Sequence, residues 1–143
     1  MGDMTDEYYE LFEVYSKNVI ASKTDLQGKI VYVSDAFCDI SGYTREELID
    51  KPHSIVRHPD MTKAFFKKLW ETIKSSKTFK GEIKNRRKDG SAYWVDVTIA
   101  PLLDDFANIV GYTAIRHDIT KTKEYEELNK KYEKLLKECS DKK

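Results

Sequence analysis

Arg57 and His58 stand between Pro52 and Pro59, in a stretch the two prolines keep out of a long helix, so both side chains belong to a loop. An arginine there presents a rigid fork of donors that pairs bidentately with phosphate, and a histidine adds a donor whose charge changes near neutral pH. The other arrangement open to the pair is an exposed contact with Asp60. Asn85 is the second candidate. Period-2 alternation puts Phe79, Gly81, Ile83 and Asn85 on one strand face and Lys80, Glu82, Lys84 and Arg86 on the other, so the Asn85 amide points toward the core. A buried amide without partners costs about 1–3 kcal/mol, so it should bond either the polar edge of a ligand or neighbouring backbone. Phe65, Phe66 and Trp70 offer flat faces suited to a ring system, or else fill the core, which is the simpler assignment for Phe65.

Other chemistry is absent from the sequence. There is no G-x-S-x-G, no His-Glu-x-x-His and no phosphate-cradling glycine loop, so the chain is expected to bind and relay rather than to act as an enzyme. Cys38 and Cys139 are too few for a disulfide framework and lack metal-ligand spacing. The basic run Asn85-Arg86-Arg87-Lys88 is confined to one alternating strand and its turn, a solvated edge rather than a nucleic-acid surface. His117 and Asp118 can form a proton relay, but their place at a strand end points instead to anchoring the element that follows.

The elements that must position these side chains follow from periodicity. Tyr8, Leu11, Phe12 and Tyr15 are spaced for a short amphipathic lead-in helix within residues 1–17. Two strand-like runs, 18–26 and 29–34, meet at Gln27-Gly28, where glycine suits a tight turn. Asp35 is the expected N-cap of a short helix ended by Gly42, and Thr44 with Glu47 forms a capping box. From Asp60 the period is helical again, with Met61, Phe65, Leu69 and Ile73 four apart and Phe66 and Trp70 beside them. Alternation then returns over residues 79–88, 91–103 and 109–119. Strands, helices, then three strands predict an α+β domain with one antiparallel sheet and helices on one side, in which the helical middle crosses from edge to edge. In the tail, 121–143, Tyr125, Leu128, Tyr132, Leu135 and Cys139 form an a/d seam in an otherwise charged helix, expected to be a signalling helix that starts a coiled coil, the alternative being a solvated helix packed on its own domain.

The 143 residues suit a single domain at 18–120 with terminal helices. Lys plus Arg and Asp plus Glu balance at 25 each, which gives no global pull toward nucleic acid or an anionic membrane. No stretch approaches the roughly 20 apolar residues of a spanning helix, and the acidic start has no apolar signal-peptide core, so a cytoplasmic location is expected.

The residues resemble a known family. Ile30-Val31-Tyr32-Val33-Ser34-Asp35-Ala36-Phe37 and Ser41-Gly42-Tyr43-Thr44-Arg45-Glu46-Glu47-Leu48 are similar to the first half of a PAS domain; Lys88-Asp89-Gly90-Ser91-Ala92-Tyr93-Trp94-Val95, Gly111-Tyr112 and Asp118-Ile119-Thr120 are similar to its second half and exit motif. The resemblance implies a five-stranded antiparallel sheet flanked by helices. A narrower likeness, carried by residues 52–61 and 84–90, is to the PAS domains of bacterial aerotaxis receptors, which hold FAD and sense redox state. It implies that Arg57, His58, Asp60, Trp70 and Asn85 lie at or near a flavin, with Phe66 on the same helix. The family has asparagine where this chain has Ser34, a shorter donor at a flavin-binding position. Blue-light PAS domains carry a cysteine near Val56–Asp60 that this chain lacks. Heme, ligated by His53 or His58, is the alternative cofactor, and a ligand-free dimerisation module of a histidine kinase or diguanylate cyclase is the alternative role. The lead-in helix and the seam from Tyr125 to Cys139 are expected to pair two chains into a homodimer, and the resemblance implies relay to a chemoreceptor or other output domain.

Overall fold

Alternating runs become the strands of one sheet, and the segment between them supplies the helices that cross it. The computed structural model, which describes residue 11 and residues 14–141, contains β1 (Ile20–Thr24), β2 (Ile30–Val33), α1 (Asp35–Ser41), α2 (Arg45–Leu48), a 3-10 turn (His53–Val56), α3 (Lys63–Lys74), β3 (Phe79–Arg86), β4 (Ala92–Leu103), β5 (Ile109–Asp118) and α4 (Thr120–Asp141). The five strands pair antiparallel in the order β2-β1-β5-β4-β3. Strands β2 and β3 are therefore opposite edges, and the helical middle carries the chain between them. The lead-in helix expected from the first residues lies largely outside the described residues; residues 14–18 are helical.

Local chemistry sets the joints. The turn into β2 rests on Gly28 at φ 85°, while the Asp25 carboxylate accepts from the backbone N–H groups of Gln27 and Lys29. Gly42 ends α1 in the left-handed region, and the capping box of Thr44 and Glu47 opens α2. Two helix starts differ from expectation. Ser34, not Asp35, caps α1, because its hydroxyl reaches the Phe37 N–H; Asp35 turns outward to Arg45 at 2.6 Å. Thr62 caps α3, so Met61 precedes the helix and packs on the core from outside it.

The buried side chains fall into two groups. Leu69 and Ile73 of α3 pack on Ile83, Tyr93, Val95, Val97 and Tyr112 of β3–β5. Ile30, Val33, Phe37, Leu48 and Val56 form the other, under α1 and α2. Burial of such apolar area is the main stabilising term. Between α3 and the strands, however, the two groups do not close up.

Candidate functional site

A cavity of about 230 Å³ remains there. Leu69, Ile73, Ile83, Ile99, Tyr112 and Ala114 supply apolar walls; Phe66 and Trp70 of α3 flank it, and Gly28 and Gln27 of the β1–β2 turn lie at its margin. Trp70 is held edge-on to Tyr112, ring centroids 5.5 Å apart, and a Cβ on Gly28 would meet its ring at 3.1 Å. The glycine thus serves both the turn and the close approach of backbone to indole.

The polar end is built from strand alternation and the 3-10 turn. Arg116 on β5 points inward with Tyr112 and Ala114 and is 5% exposed. Its Nη1 donates to Ser22 Oγ at 3.0 Å and its Nη2 lies 2.8 Å from His53 Nε2, which is itself 3.2 Å from Ser22 Oγ. Its guanidinium also faces the Phe37 ring, 5.2 Å from the centroid. None of these partners is an anion, and no ion pair among the described residues involves Arg116 or Arg57. Burial draws the Arg116 pKa down to about 10, so it stays charged at neutral pH. Loss of hydration, then the Arg116 charge, push the His53 pKa down to about 3, which keeps that imidazole neutral and able to accept from Arg116.

Arg57 enters from the loop after the 3-10 turn. Its guanidinium carbon lies 3.7 Å from the Phe66 ring centroid, its Nε is buried without a hydrogen-bond partner among the described residues, and burial lowers its pKa. Its backbone bridges to Asn85 on the edge strand β3. Asn85 is 5% exposed and lines the cavity as its alternation requires, beside its cross-strand partner Tyr93. Burial pushes the Tyr93 pKa up to about 12, against the Arg116 charge and a hydrogen bond from Asn85.

Of the residues singled out in the sequence, Arg57, Phe66, Trp70 and Asn85 meet at this cavity. The other three stand off it. Ser34 is fully buried behind β1, its hydroxyl bonded to Val19 O and to the N–H groups of Ala21 and Phe37. His58 Nδ1 accepts from the Asp60 N–H at 3.0 Å, and the exposed Asp60 carboxylate reaches Lys84 at 2.8 Å, which holds its pKa low. Arg116 and Ser22 were not singled out, and His53 only as a heme ligand. The signal for Arg116 was available: an arginine on the apolar face of an alternating strand. His117 bonds Asp96 on the sheet's other face, and Asp118 accepts from the N–H and hydroxyl of Thr120, so both belong to the exit from the sheet. Arg87 of the basic run is spent on the carbonyls of Ile40 and Ala92.

A family model described as PAS fold matches residues 30–116. The chain is a PAS domain. It is 45% identical over 97 residues to an aerotaxis receptor of Escherichia coli, covering 68% of this chain and 19% of that receptor. A nitrogen fixation regulatory protein of Klebsiella oxytoca is 28% identical over 121 residues, covering 83% of this chain and 24% of the regulator. The chain thus spans a fifth to a quarter of these curated relatives. The PAS domain of a Colwellia psychrerythraea protein superposes with a TM-score of 0.72 at 25% identity, over 83% of this chain and 99% of that one. A light-oxygen-voltage domain studied with a flavin analogue gives 0.71 at 20% identity over 91% and 98%, a likeness of fold. No helix among the described residues is long and apolar enough to cross a membrane.

Proposed function

We propose that this PAS domain is a cytoplasmic redox or oxygen sensor that binds FAD with the isoalloxazine ring in the cavity and reports its state through α4 to a chemotaxis or other signalling output. The observation that carries this is the pair of guanidinium groups at one cavity without an acid to neutralise them. A buried cation whose neighbours are neutral leaves a desolvation cost uncompensated, and Arg57 Nε has no hydrogen-bond partner among the described residues. The missing partner is an electron-rich or anionic group.

The residues present fit a flavin. At about 230 Å³ the cavity is smaller than the roughly 300 to 1,000 Å³ of ordinary ligand pockets, so it would take at most the flat ring system, with the rest of a dinucleotide past the rim. Arg116, His53, Ser22 and Asn85 would meet the ring's polar edge; Trp70 and Phe66 would face its apolar part. Arg57 is placed for either the ring or the chain that leads from it. When bound, flavin supplies a group whose charge and protonation change on reduction. Only a difference in interaction between those two states can shift the protein, and donors fixed at the ring edge are where such a difference arises. The same relatives support relay, since the E. coli protein is a receptor. Pairing of two chains along the seam of α4 completes the proposal. Heme fits less well: His53 Nε2 already faces Arg116 and Ser22, and His58 is turned to Asp60 outside the cavity.

The test is the visible absorption of the purified protein and the identity of any chromophore released on denaturation. The two-banded spectrum of oxidised flavin with FAD in the extract is expected. A single intense Soret band, or a colourless protein that takes up no added FAD, would overturn the assignment.

A further inference from the structure

Beyond the cavity, the described residues join α4 to the domain only at its root. Every residue from Glu124 to Ser140 is exposed, whereas Lys123 is not. The Ile119 N–H donates to Trp94 O at 2.9 Å and the Trp94 N–H donates to Thr120 Oγ1 at 3.0 Å, stitching the first turn to β4. Lys123 Nζ sits 2.9 Å from Glu82 Oε2 and 5.0 Å from the centroid of the Trp94 ring, its side chain 21% exposed. The hydrogen bond that Lys123 Nζ donates to the Glu82 carboxylate raises the Lys123 pKa above its ordinary value. A second ammonium shares the same indole: Lys84 Nζ lies 6.0 Å from the Trp94 centroid and 2.8 Å from Asp60 Oδ2, in the segment just after Arg57.

We infer that Glu82, Trp94 and Lys123 form a clamp through which α4 reads the cavity, with Asp60 and Lys84 as the arm that couples the Arg57 loop to it. Strand β3 makes the link mechanical. Ile83 and Asn85 line the cavity on one face, while Glu82 and Lys84 hold the clamp on the other, and the Arg57–Asn85 bridge ties the loop to the same strand. A shift of this edge strand moves both carboxylate–ammonium pairs relative to Trp94. The exit helix has 22 residues and, at about 1.5 Å per residue, is long enough to turn a small tilt at its root into a displacement of ångströms at its end. Cation–π contacts and shielded ion pairs are individually weak, which suits a contact meant to be biased rather than locked.

The inference rests on the proposed ligand only for what drives the clamp, and the experiment separates the two. Amide hydrogen exchange is followed for residues 119–124 and for β5 in the full chain, with and without added FAD. Without FAD, Glu82→Gln and Lys123→Met should each speed exchange of 119–124 about fivefold and leave β5 unchanged; the charge swap Glu82→Lys with Lys123→Glu should exchange more slowly than either single variant. Added FAD should alter exchange at 119–124 in the wild type and leave Lys84→Met unresponsive although it still binds FAD. Unchanged exchange in both single variants, or a Lys84→Met protein that responds like the wild type, overturns the clamp. If FAD binds none of the proteins, the ligand assignment fails while the FAD-free comparison still decides the clamp.

Discussion

Arg116 is the residue on which the site turns, and it carries a contradiction that can be measured. Its charge is buried among neutral partners, so the ligand-free protein bears a cost that a methionine of similar length would remove. Replacing buried charge by packed apolar groups is often neutral or stabilising by about 1–4 kcal/mol. Arg116→Met should therefore unfold at higher urea than the wild type while losing FAD retention; a variant that is both less stable and fully loaded would refute the role. His53 gives a pH signature. Its pKa is about 3 in the fold against 6.5 ordinarily. The unfolded chain takes up a proton as pH falls below about 6.5 and the folded one does not, so stability is lost from there down toward pH 3, by at most about 1.4 kcal/mol per unit. His53→Gln should flatten that limb of the urea midpoint against pH. At this scale the sequence was half legible. Asn85 showed through strand period, and Trp70 through helix period. Arg116 did not, because an arginine beside a histidine reads as surface until the sheet faces are assigned. Ser34 was drawn in by its position in the family pattern, while its hydroxyl is wholly engaged in capping α1 and joining β1.

The elements were the clearest part of the sequence. Strong alternation in β3 to β5 and the four-residue spacing in α3 fixed their types, and two strands, a helical middle and three strands left one economical sheet order. Boundaries moved by a few residues where a neighbouring side chain made the better cap, as Ser34 did for α1 and Thr62 for α3. What spacing cannot show is how closely two strands approach. A Cβ on Gly111 would overlap the Thr24 carbonyl oxygen where β1 meets β5. Those strands carry Ser22 and Arg116, so Gly111→Ala should destabilise the fold by about 1–3 kcal/mol and loosen the polar end of the cavity. Chemical denaturation checks the first effect and FAD retention the second; wild-type values for both would show that the strands adjust freely.

For the whole molecule, α4 presents Tyr125, Leu128, Tyr132 and Leu135 to solvent, each more than half exposed, with Cys139 continuing the stripe. About two heptads are short for an isolated coiled coil, so pairing along this length alone would be weak. Parallel, in-register pairing would bring Cys139 opposite its copy. Mild oxidation should then yield a reducible dimer that Cys139→Ser abolishes; a dimer surviving that substitution would point to another interface.

The central claim is that the cavity between α3 and the sheet holds FAD through its uncompensated arginines. Urea unfolding with and without FAD tests it most directly. A ligand that binds only the folded protein adds about 2.7 kcal/mol at a hundredfold excess over its dissociation constant. The wild type should show that gain and Arg116→Met little of it. Identical midpoints with and without FAD for the wild type would contradict the account.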